Sequence, residues 1–277
     1  MNQTIDDVVD VERYLGDRWD DTVAWARREL AVTGCCVLSG FVPPGLHETL
    51  RREGARIAPQ AYFGVETVNV YNTDPDPTLP AGHPAAVTME RGNAFVARDA
   101  IPPGAIIEQL YTSAAFRRFV ADCFDRPAVH ELADPLAGLV LNVVDPGRSH
   151  PWHFDTNELT VSLLTQAADD GGVFEYCPNI RSAGVENIDG VRAVLDGHAT
   201  PQRLTLNPGD LQLFKGRYSL HRVTPVRGRT PRHSAIFAYS EQPGVLGTVS
   251  RTRQLFGRVA PAHLAADRLV RVDQLMD

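Results

Sequence analysis

The second half of the chain consists of short apolar runs separated by turn residues, and this pattern restricts the fold more than any other feature. From residue 139 the runs are LVLNVV, ELTVSLLTQ, GGVFEYCP, QRLTLNPG, DLQLFKG, HRVTPV and HSAIFAYS. They recur about every ten residues, with turn signals at 145–147, 170–172, 207–209 and 227–229, as in β-sandwiches and barrels. The pattern predicts a mainly β protein with a double-stranded β-helix, or jelly-roll, core.

The first half of the chain is predicted to support this core. Apolar periodicity predicts helices over residues 19–30, 45–58 and 106–124, and a buried strand over residues 35–42. Residues 72–104 carry six prolines and few periodic apolar positions, so we expect them to form a lid over a site.

The strand spacing and the lid-like segment favour a single domain over residues 1–277. We expect mostly helical support and lid over residues 1–138 and the jelly-roll core over residues 139–257.

Charge and composition exclude several classes of partner. The chain carries 27 basic and 34 acidic residues, and a net charge of −7 gives no basic surface for nucleic acid. No stretch reaches the roughly 18 to 20 apolar residues of a membrane helix, and the first ten residues are too acidic for an export signal. The four cysteines lack CxxC spacing and are expected to be reduced. A cytoplasmic protein without a membrane or nucleic-acid partner is therefore predicted.

A candidate metal site is indicated by three residues near the predicted strands. His153 and Asp155 are two positions apart, so on a strand their side chains share one face. His221 lies at the start of a later strand and offers a third ligand. Two histidines and one carboxylate can bind ferrous iron on one face and leave the other positions open. The alternative for His221 is a histidine satisfied in the core or at the surface.

Arg232 stands eleven positions beyond His221, with the turn at 227–229 near the midpoint. A hairpin would bring Arg232 roughly across from His221 on the neighbouring strand. A guanidinium fork beside iron is suited to a carboxylate that binds through both oxygens, whereas the alternative is a surface arginine.

The sequence resembles the non-haem iron(II), 2-oxoglutarate-dependent oxygenases, whose metal motif is HxD…H followed by an arginine some ten residues on. His153, Asp155 and His221 match the metal ligands, and Arg232 matches the residue that binds the distal carboxylate of 2-oxoglutarate. The phrases WHFDTNELTVSLLTQ, GGVFEYCPNIR and LQLFKGRYSLHRVTPV are similar to the subgroup of carrier-free amino-acid halogenases and hydroxylases, typified by the lysine halogenases. The resemblance covers residues 139–257 well and the N-terminal half only loosely.

The resemblance implies a cupin-like jelly roll that uses Fe(II), 2-oxoglutarate and O2. The halogenases of this subgroup carry glycine where this chain has Asp155, and the glycine frees a coordination position for chloride. The aspartate therefore implies hydroxylation, with succinate and CO2 as co-products. The expected substrate is a small molecule, a free amino acid of the cationic arginine or lysine type.

The substrate residues are assigned by the same resemblance and by position. The candidates are Arg91 and His150 for an α-carboxylate, and Asn157 and Glu158 at the mouth, where Glu158 would pair with a cationic side chain or support the ligands. A solvated arginine and a loop histidine are the alternatives for Arg91 and His150.

The 2-oxoglutarate residues beside Arg232 are expected to be Asn142, Thr165 and Thr230, and each of the first two is equally explained as a polar residue satisfied within the barrel. Either Glu175 or Tyr176 should face the site, because neighbours on a strand point in opposite directions.

Two other functions remain open at this point. The same oxygenase chemistry could act on another small natural-product intermediate, or the jelly roll could be a non-catalytic metal-binding module. A homodimer is compatible with the sequence.

Overall fold

The protein is described here by a computed structural model that covers residues 5–64, 66–73, 76, 78–80, 82–157 and 159–266. The α-helices within these residues are α1 Val11–Tyr14, α2 Trp19–Val32, α3 His47–Ile57, α4 Ile106–Thr112, α5 Ala114–Cys123, α6 Ile188–Leu195, α7 Val249–Phe256 and α8 Pro261–Ala265. Short 3-10 helices span Ile5–Asp7, Gly16–Arg18, Pro44–Leu46, Ala58–Gln60, Pro84–Ala86 and Arg98–Ala100.

The strands of the described residues pair throughout in antiparallel fashion. They are β1 Cys35–Leu38, β2 Glu66–Val68, β3 Met89–Arg91, β4 Ala94–Val96, β5 His130–Glu131, β6 Leu139–Val144, β7 His150–His153, β8 Thr160–Gln166, β9 Asp170–Gly171, β10 Phe174–Cys177, β11 Gln202–Leu204, β12 Leu211–Phe214, β13 Leu220–Val223, β14 Val226–Arg227 and β15 Arg232–Ser240.

Two sheets face each other. The larger sheet has the order β1-β12-β8-β15-β6-β4, with β5 added beside β15, and the smaller has the order β11-β10-β13-β7. Phe214 of β12 meets Phe174 of β10 edge-on at 5.2 Å between ring centroids, so aromatic side chains fill the space between the sheets. The predicted jelly-roll region thus incorporates β1, β4 and β5, which come from the half assigned to helical support.

The strand β15 shows how the larger sheet separates core from site. Ala235, Phe237 and Tyr239 join the apolar core beneath the helices. Arg232 and Ser234 alternate with them and therefore point to the opposite face, toward the smaller sheet. One face of the sheet stabilises the fold while the other supplies polar side chains.

The predicted helix over residues 106–124 is two helices. Ser113 adopts an extended conformation (φ −68°, ψ 126°) and its Oγ accepts a hydrogen bond from the Phe116 N–H, which caps α5. The periodicity of the apolar positions continues across this break because both α4 and α5 bury one face in the same core. The predicted helices over 19–30 and 45–58 correspond to α2 and α3.

The segment predicted as a lid, residues 72–104, is only partly irregular. Its second half contains β3, paired with β2, and β4, which is an edge strand of the larger sheet. Residues 74, 75, 77 and 81 of this segment lie outside the described residues. The later part of the segment therefore includes a strand of the larger sheet, since β4 pairs with β6.

The C-terminal helices are tied to the body of the protein by one buried carboxylate. Asp134 Oδ2 accepts hydrogen bonds from the Gly247 N–H at 2.9 Å and from His263 Nε2 at 2.8 Å. Gly247 precedes α7 and His263 lies in α8, and both Asp134 and His263 are buried. This carboxylate fixes α7 from both ends.

None of the helices in the described ranges is long and apolar enough to cross a bilayer.

Candidate active site

The three predicted metal ligands meet at one end of the smaller sheet. His153 ends β7 and lies opposite His221 of β13 in the antiparallel register, so the two imidazoles share one face, 4.1 Å apart between ring centroids. Asp155 follows His153 by two residues. One ligand atom from each of the three residues lies within 4.8 Å of the others.

Hydrogen bonds fix the orientation of both imidazoles. His153 Nδ1 lies 2.8 Å from the Pro151 carbonyl oxygen, and His221 Nδ1 lies 2.9 Å from that of Ser219. A carbonyl only accepts, so each Nδ1 carries the proton and each Nε2 presents a lone pair. The Asp155 Oδ1 lies 3.7 Å from His153 Nε2 and 3.4 Å from His221 Nε2. This set of two nitrogens and one oxygen fits a ferrous ion.

The second carboxylate oxygen of Asp155 is held by the protein. Thr160 Oγ1 donates a hydrogen bond to Asp155 Oδ2 at 2.6 Å, and the Asp155 N–H donates to the Gly216 carbonyl at 3.1 Å. A Cβ added at Gly216 would overlap Oδ2 and lie 2.6 Å from Cγ of Asp155. The position of the carboxylate therefore depends on the absence of a side chain at residue 216.

The electrostatics of the cluster favour metal binding. Burial, and then the charge of His221, lowers the pKa of His153 to about 3. Burial would raise the pKa of Asp155, but the neighbouring imidazoles of His221 and His153 and the hydrogen bond from Thr160 hold it below its ordinary value. At neutral pH His153 is thus neutral and Asp155 is ionised, as metal ligands must be.

Arg232 is buried without an acidic partner among the described residues. Its Nη1 donates to Ser234 Oγ at 2.6 Å, and no carboxylate of the described residues forms an ion pair with it. Burial lowers the pKa of Arg232 to about 10, so the group stays charged at neutral pH. A Cβ added at Gly172 would lie 3.0 Å from Arg232 Cδ, so this glycine leaves room for the arginine. A buried cation lacking a counter-ion fits the distal carboxylate of 2-oxoglutarate.

The predicted hairpin that would place Arg232 across from His221 is wrong. After β13 the chain leaves the smaller sheet, forms β14 against β9, turns, and enters the larger sheet as β15. Arg232 pairs with Val144 of β6, whereas His221 pairs with His153 and Tyr176. The two residues lie on opposing sheets because the connection crosses between them.

The predicted cosubstrate helpers divide into one residue on the site face and two elsewhere. Asn142 lies on β6 opposite Ser234 and accepts a hydrogen bond from Asn93 Nδ2 at 2.9 Å. Thr165 faces α3, where it donates to the His233 carbonyl at 3.3 Å. Thr230 donates to Asp169 Oδ1 at 2.7 Å in the turn before β15.

Thr165 and Thr230 are therefore not brought to Arg232. Residue 165 alternates away from the site face, and the hydroxyl of Thr230 is occupied within its own turn. Ser234, which the sequence reasoning missed, bonds Arg232 instead. The signal that could have identified Ser234 is its spacing of two residues from Arg232, which places both side chains on one face of a strand.

Of the two predicted candidates on β10, Tyr176 lies on the face of the metal ligands, because it is the register partner of His221, and Glu175 points the other way. Glu175 forms ion pairs with Arg222 at 2.7 Å and Arg203 at 3.3 Å. Tyr176 points to the interior, where its ring meets Phe214 and its hydroxyl donates to Gln202 at 2.7 Å. The ring of Phe174, on the same face of this strand, lies 5.5 Å from that of His221 between centroids.

The predicted substrate residues His150 and Arg91 are both buried. The His150 ring stacks on His153 at 3.8 Å, and burial lowers its pKa well below the ordinary value. Arg91 donates through Nη2 to the Gln254 carbonyl at 2.8 Å and lies 3.4 Å from Glu66 Oε2. His150 and Arg91 are close enough to interact electrostatically. The structure thus brings His150 against the metal ligand His153, with Arg91 near His150. We refer to the region around His150 and Arg91 as the predicted substrate side.

Only one of the other two predicted substrate residues lies within the described part of the chain. Asn157 is half-buried two residues beyond Asp155. Glu158 lies outside the described residues, so its role stays a prediction.

The sequence reasoning also missed Arg251 and Glu66. Arg251, on α7, interacts electrostatically with Asp155, Arg91 and Glu66, and burial lowers its pKa to about 10. It lies 96 positions from Asp155 and outside every predicted strand, so no spacing pattern pointed to it.

The comparisons with known proteins agree with this geometry. The chain matches the Halogenase D family over residues 19–253. No curated protein matches the sequence. Similar folds occur in an oxidoreductase of the 2OG-Fe(II) oxygenase family from Burkholderia pseudomallei, which is 18% identical with a TM-score of 0.51 over 80% of this chain and 92% of that chain.

Two further solved structures have similar folds. One is a prolyl hydroxylase in complex with a hypoxia inducible factor oxygen degradation domain peptide fragment from Trichoplax adhaerens, 14% identical, with a TM-score of 0.54 over 85% of this chain and 93% of that chain. The other is the epimerase SnoN in complex with Fe3+, alpha ketoglutarate and nogalamycin RO, 15% identical, with a TM-score of 0.52 over 79% and 84%.

These likenesses confirm the predicted jelly roll with N-terminal helices. The family match confirms the resemblance to the iron(II) and 2-oxoglutarate oxygenases that the HxD…H motif indicated. Because this match extends over most of the sequence, the chain belongs to the Halogenase D family.

Proposed function

We propose that the chain is an iron(II)- and 2-oxoglutarate-dependent hydroxylase that acts on an unactivated C–H bond of a free amino acid of the arginine or lysine type. The observation that carries this proposal is the complete ligand set, in which Nε2 of His153, Nε2 of His221 and Oδ1 of Asp155 converge. By the resemblance, a halogenase needs the coordination position that Asp155 fills here. The aspartate therefore favours hydroxylation.

The residues around the ligands would bind and orient the reactants. Iron(II) supplies the oxidative chemistry, in which O2 and 2-oxoglutarate give succinate, CO2 and a hydroxylated substrate. Arg232 would bind the distal carboxylate of 2-oxoglutarate through its guanidinium fork. Phe214 packs edge-on against His221, 4.8 Å between ring centroids, and Phe174 packs beside it at 5.5 Å, so the two rings would limit water near the metal ligands.

The amino-acid substrate is inferred from the basic residues on the substrate side. Arg91 and His150 would hold the α-carboxylate, because Arg91 has two buried nitrogens, Nε and Nη1, without a hydrogen-bond partner. A cationic side chain is inferred from Glu158, which the sequence alone predicts to lie at the mouth, and from the acidic surplus of the chain. The cytoplasmic location and the homodimer stay predictions.

The test is substrate-stimulated succinate formation. Purified protein is supplied with Fe(II), 2-oxoglutarate and O2, and is assayed with arginine, lysine, ornithine, norleucine and glutamate. We expect arginine or lysine to stimulate succinate formation and to gain one oxygen atom, measured by mass spectrometry. The His221→Ala variant is the control, because it removes an iron ligand and should form no product.

Three results would contradict the proposal. No stimulation across the panel would exclude these free amino acids and favour another small natural-product intermediate. No succinate formation at all, despite bound iron, would favour a metal-binding module. A chlorinated or epimerised product would show that Asp155 does not direct the reaction to hydroxylation.

A further inference from the structure

The helix α7 forms one wall of the substrate side, although it follows the last strand of the jelly roll. Phe256 meets Phe95 of β4 edge-on at 6.5 Å, and Phe95 in turn meets His150 at 6.3 Å between ring centroids. The Gln254 carbonyl accepts the hydrogen bond from Arg91 Nη2. The helix thus contacts Arg91 directly and reaches His150 through the ring of Phe95.

Gln254 accepts hydrogen bonds from two arginines. Its backbone carbonyl accepts from Arg91, and its side-chain Oε1 accepts from Nη1 of Arg251, one turn earlier in α7. Two guanidinium groups, from β3 and from α7, are therefore held against one residue. Like charges held close together are unfavourable unless an anion balances them.

Glu66 is the only carboxylate of the described residues that forms an ion pair with Arg91, at 3.4 Å, and none forms one with Arg251. Asp155 also interacts electrostatically with Arg251, but its charge would be offset by the metal that it binds. Glu66 is then the one anion left for the two arginines, and one positive charge is in excess. The pairing with Glu66 is also incomplete, because Oε2 of Glu66 and both Nε and Nη1 of Arg91 are buried without a hydrogen-bond partner. Buried donors of this kind are usually satisfied by a ligand or water.

We propose that Arg251 and Arg91 together form a two-guanidinium clamp for the α-carboxylate of the substrate, with Glu66 as the acceptor for its α-ammonium group. This assignment rests on the proposed amino-acid hydroxylase function and identifies the part of the substrate that is recognised. It makes Arg251 a specificity-determining residue, supplied by a helix outside the jelly roll.

The clamp has a chemical consequence for substrate choice. A carboxylate accepts paired N–H donors from arginine forks, whereas an amine or an amide in its place leaves the donors buried and unsatisfied. Free amino acids should therefore bind, and their decarboxylated counterparts should not. A substrate tethered to a carrier through its carboxyl group should be rejected for the same reason.

The test is anaerobic calorimetry, which measures binding without turnover. Protein loaded with Fe(II) and 2-oxoglutarate is titrated with L-arginine and L-lysine, and with agmatine and cadaverine, which lack the carboxylate. We expect the amino acids alone to bind. Arg251→Gln should weaken their binding on the order of tenfold to a hundredfold, as expected for a hydrogen-bonded charge, and Arg251→Lys by less. Arg253→Gln, at an exposed position of the same helix, is the matched control and should not change binding.

A second measurement separates this inference from the proposed function. Metal-free protein and its Arg251→Gln variant are heated with increasing acetate, a monocarboxylate probe. If no amino acid binds but acetate raises the melting temperature of the parent more than that of the variant, the hydroxylase proposal fails and the clamp stands. If amino acids bind the Arg251→Gln variant as tightly as the parent, or if acetate stabilises both proteins equally or neither, the clamp is refuted.

Discussion

Substitution of Gly216 by alanine tests whether Asp155 is a metal ligand, because Gly216 lies directly against the Asp155 carboxylate. The added methyl group would occupy the space of Asp155 Oδ2, and 2.6 Å to Cγ is far below any real contact distance of a Cβ atom. Gly216 does not have a positive φ, so alanine is compatible with its backbone conformation. The carboxylate must move, and with it the Oδ1 atom that faces the two histidines.

The expected loss can be estimated from the ligand set. Asp155 supplies one of three ligands, and it is positioned by Thr160 and by the Gly216 carbonyl. Disturbing the residues that orient a ligand commonly costs about 10- to 100-fold in metal affinity. We therefore expect Gly216→Ala to weaken Fe(II) binding by about this factor and to reduce succinate formation at limiting iron. Fe(II) affinity is measured anaerobically by competition with a chelator.

Two controls make the result interpretable. Gly184→Ala adds a methyl group with no atom within 4 Å and should leave iron affinity unchanged. In a protein that already carries Asp155→Gly, adding Gly216→Ala should weaken Fe(II) binding little further, because the carboxylate that the methyl group would displace is absent. Unchanged Fe(II) affinity in Gly216→Ala would refute the placement of Asp155 as a ligand.

Three more substitutions have definite expected outcomes. Arg232→Ala should raise the 2-oxoglutarate concentration needed for half-maximal succinate formation, because a charge-assisted contact worth about 1.5 to 3 kcal/mol is lost; an unchanged requirement would exclude Arg232 from cosubstrate binding. Asp155→Gly should abolish hydroxylation and make Fe(II) affinity depend on chloride, measured by titration with and without the anion; hydroxylation at the parental rate would show that Asp155 is not a ligand. Asp134→Asn should cost about 3 kcal/mol in urea unfolding, because it breaks a buried pair with His263. Burial would raise the pKa of Asp134, but its hydrogen bonds lower it, so the stability it gives the parent is present above about pH 4 and is lost on acidification; equal acid sensitivity in Asp134→Asn would contradict this.

The metal ligands could be predicted because their signals are local. A spacing of two places His153 and Asp155 on one side of the chain, and His221 was identified within a short strand whose partner proved to be the strand of His153. The strands themselves follow from the same period and from their turn residues. These parts of the fold and of the site depend on neighbours in the sequence.

The predictions that were wrong or missing concern places where the chain passes from one sheet to the other or where segments distant in sequence meet. The turn at 227–229 has the composition of a hairpin, yet it connects two sheets, so Arg232 faces the site from the other side. Arg251 reaches the substrate side only because α7 packs against β4, a contact that no local pattern encodes. Ser113 ends one helix and begins the next without interrupting the apolar period.

The bonds of Asp134 to both flanks of α7 also bear on how substrate preference can change. The metal ligands and Arg232 lie on the β-sandwich or directly beside it, whereas Arg251 belongs to a C-terminal segment that Asp134 holds at both flanks. Residues 247–266 could therefore be exchanged between related enzymes as a cassette, provided that a glycine N–H and a histidine remain to meet Asp134. Such grafts would redirect the enzyme to new substrates while leaving the oxidising centre as it is.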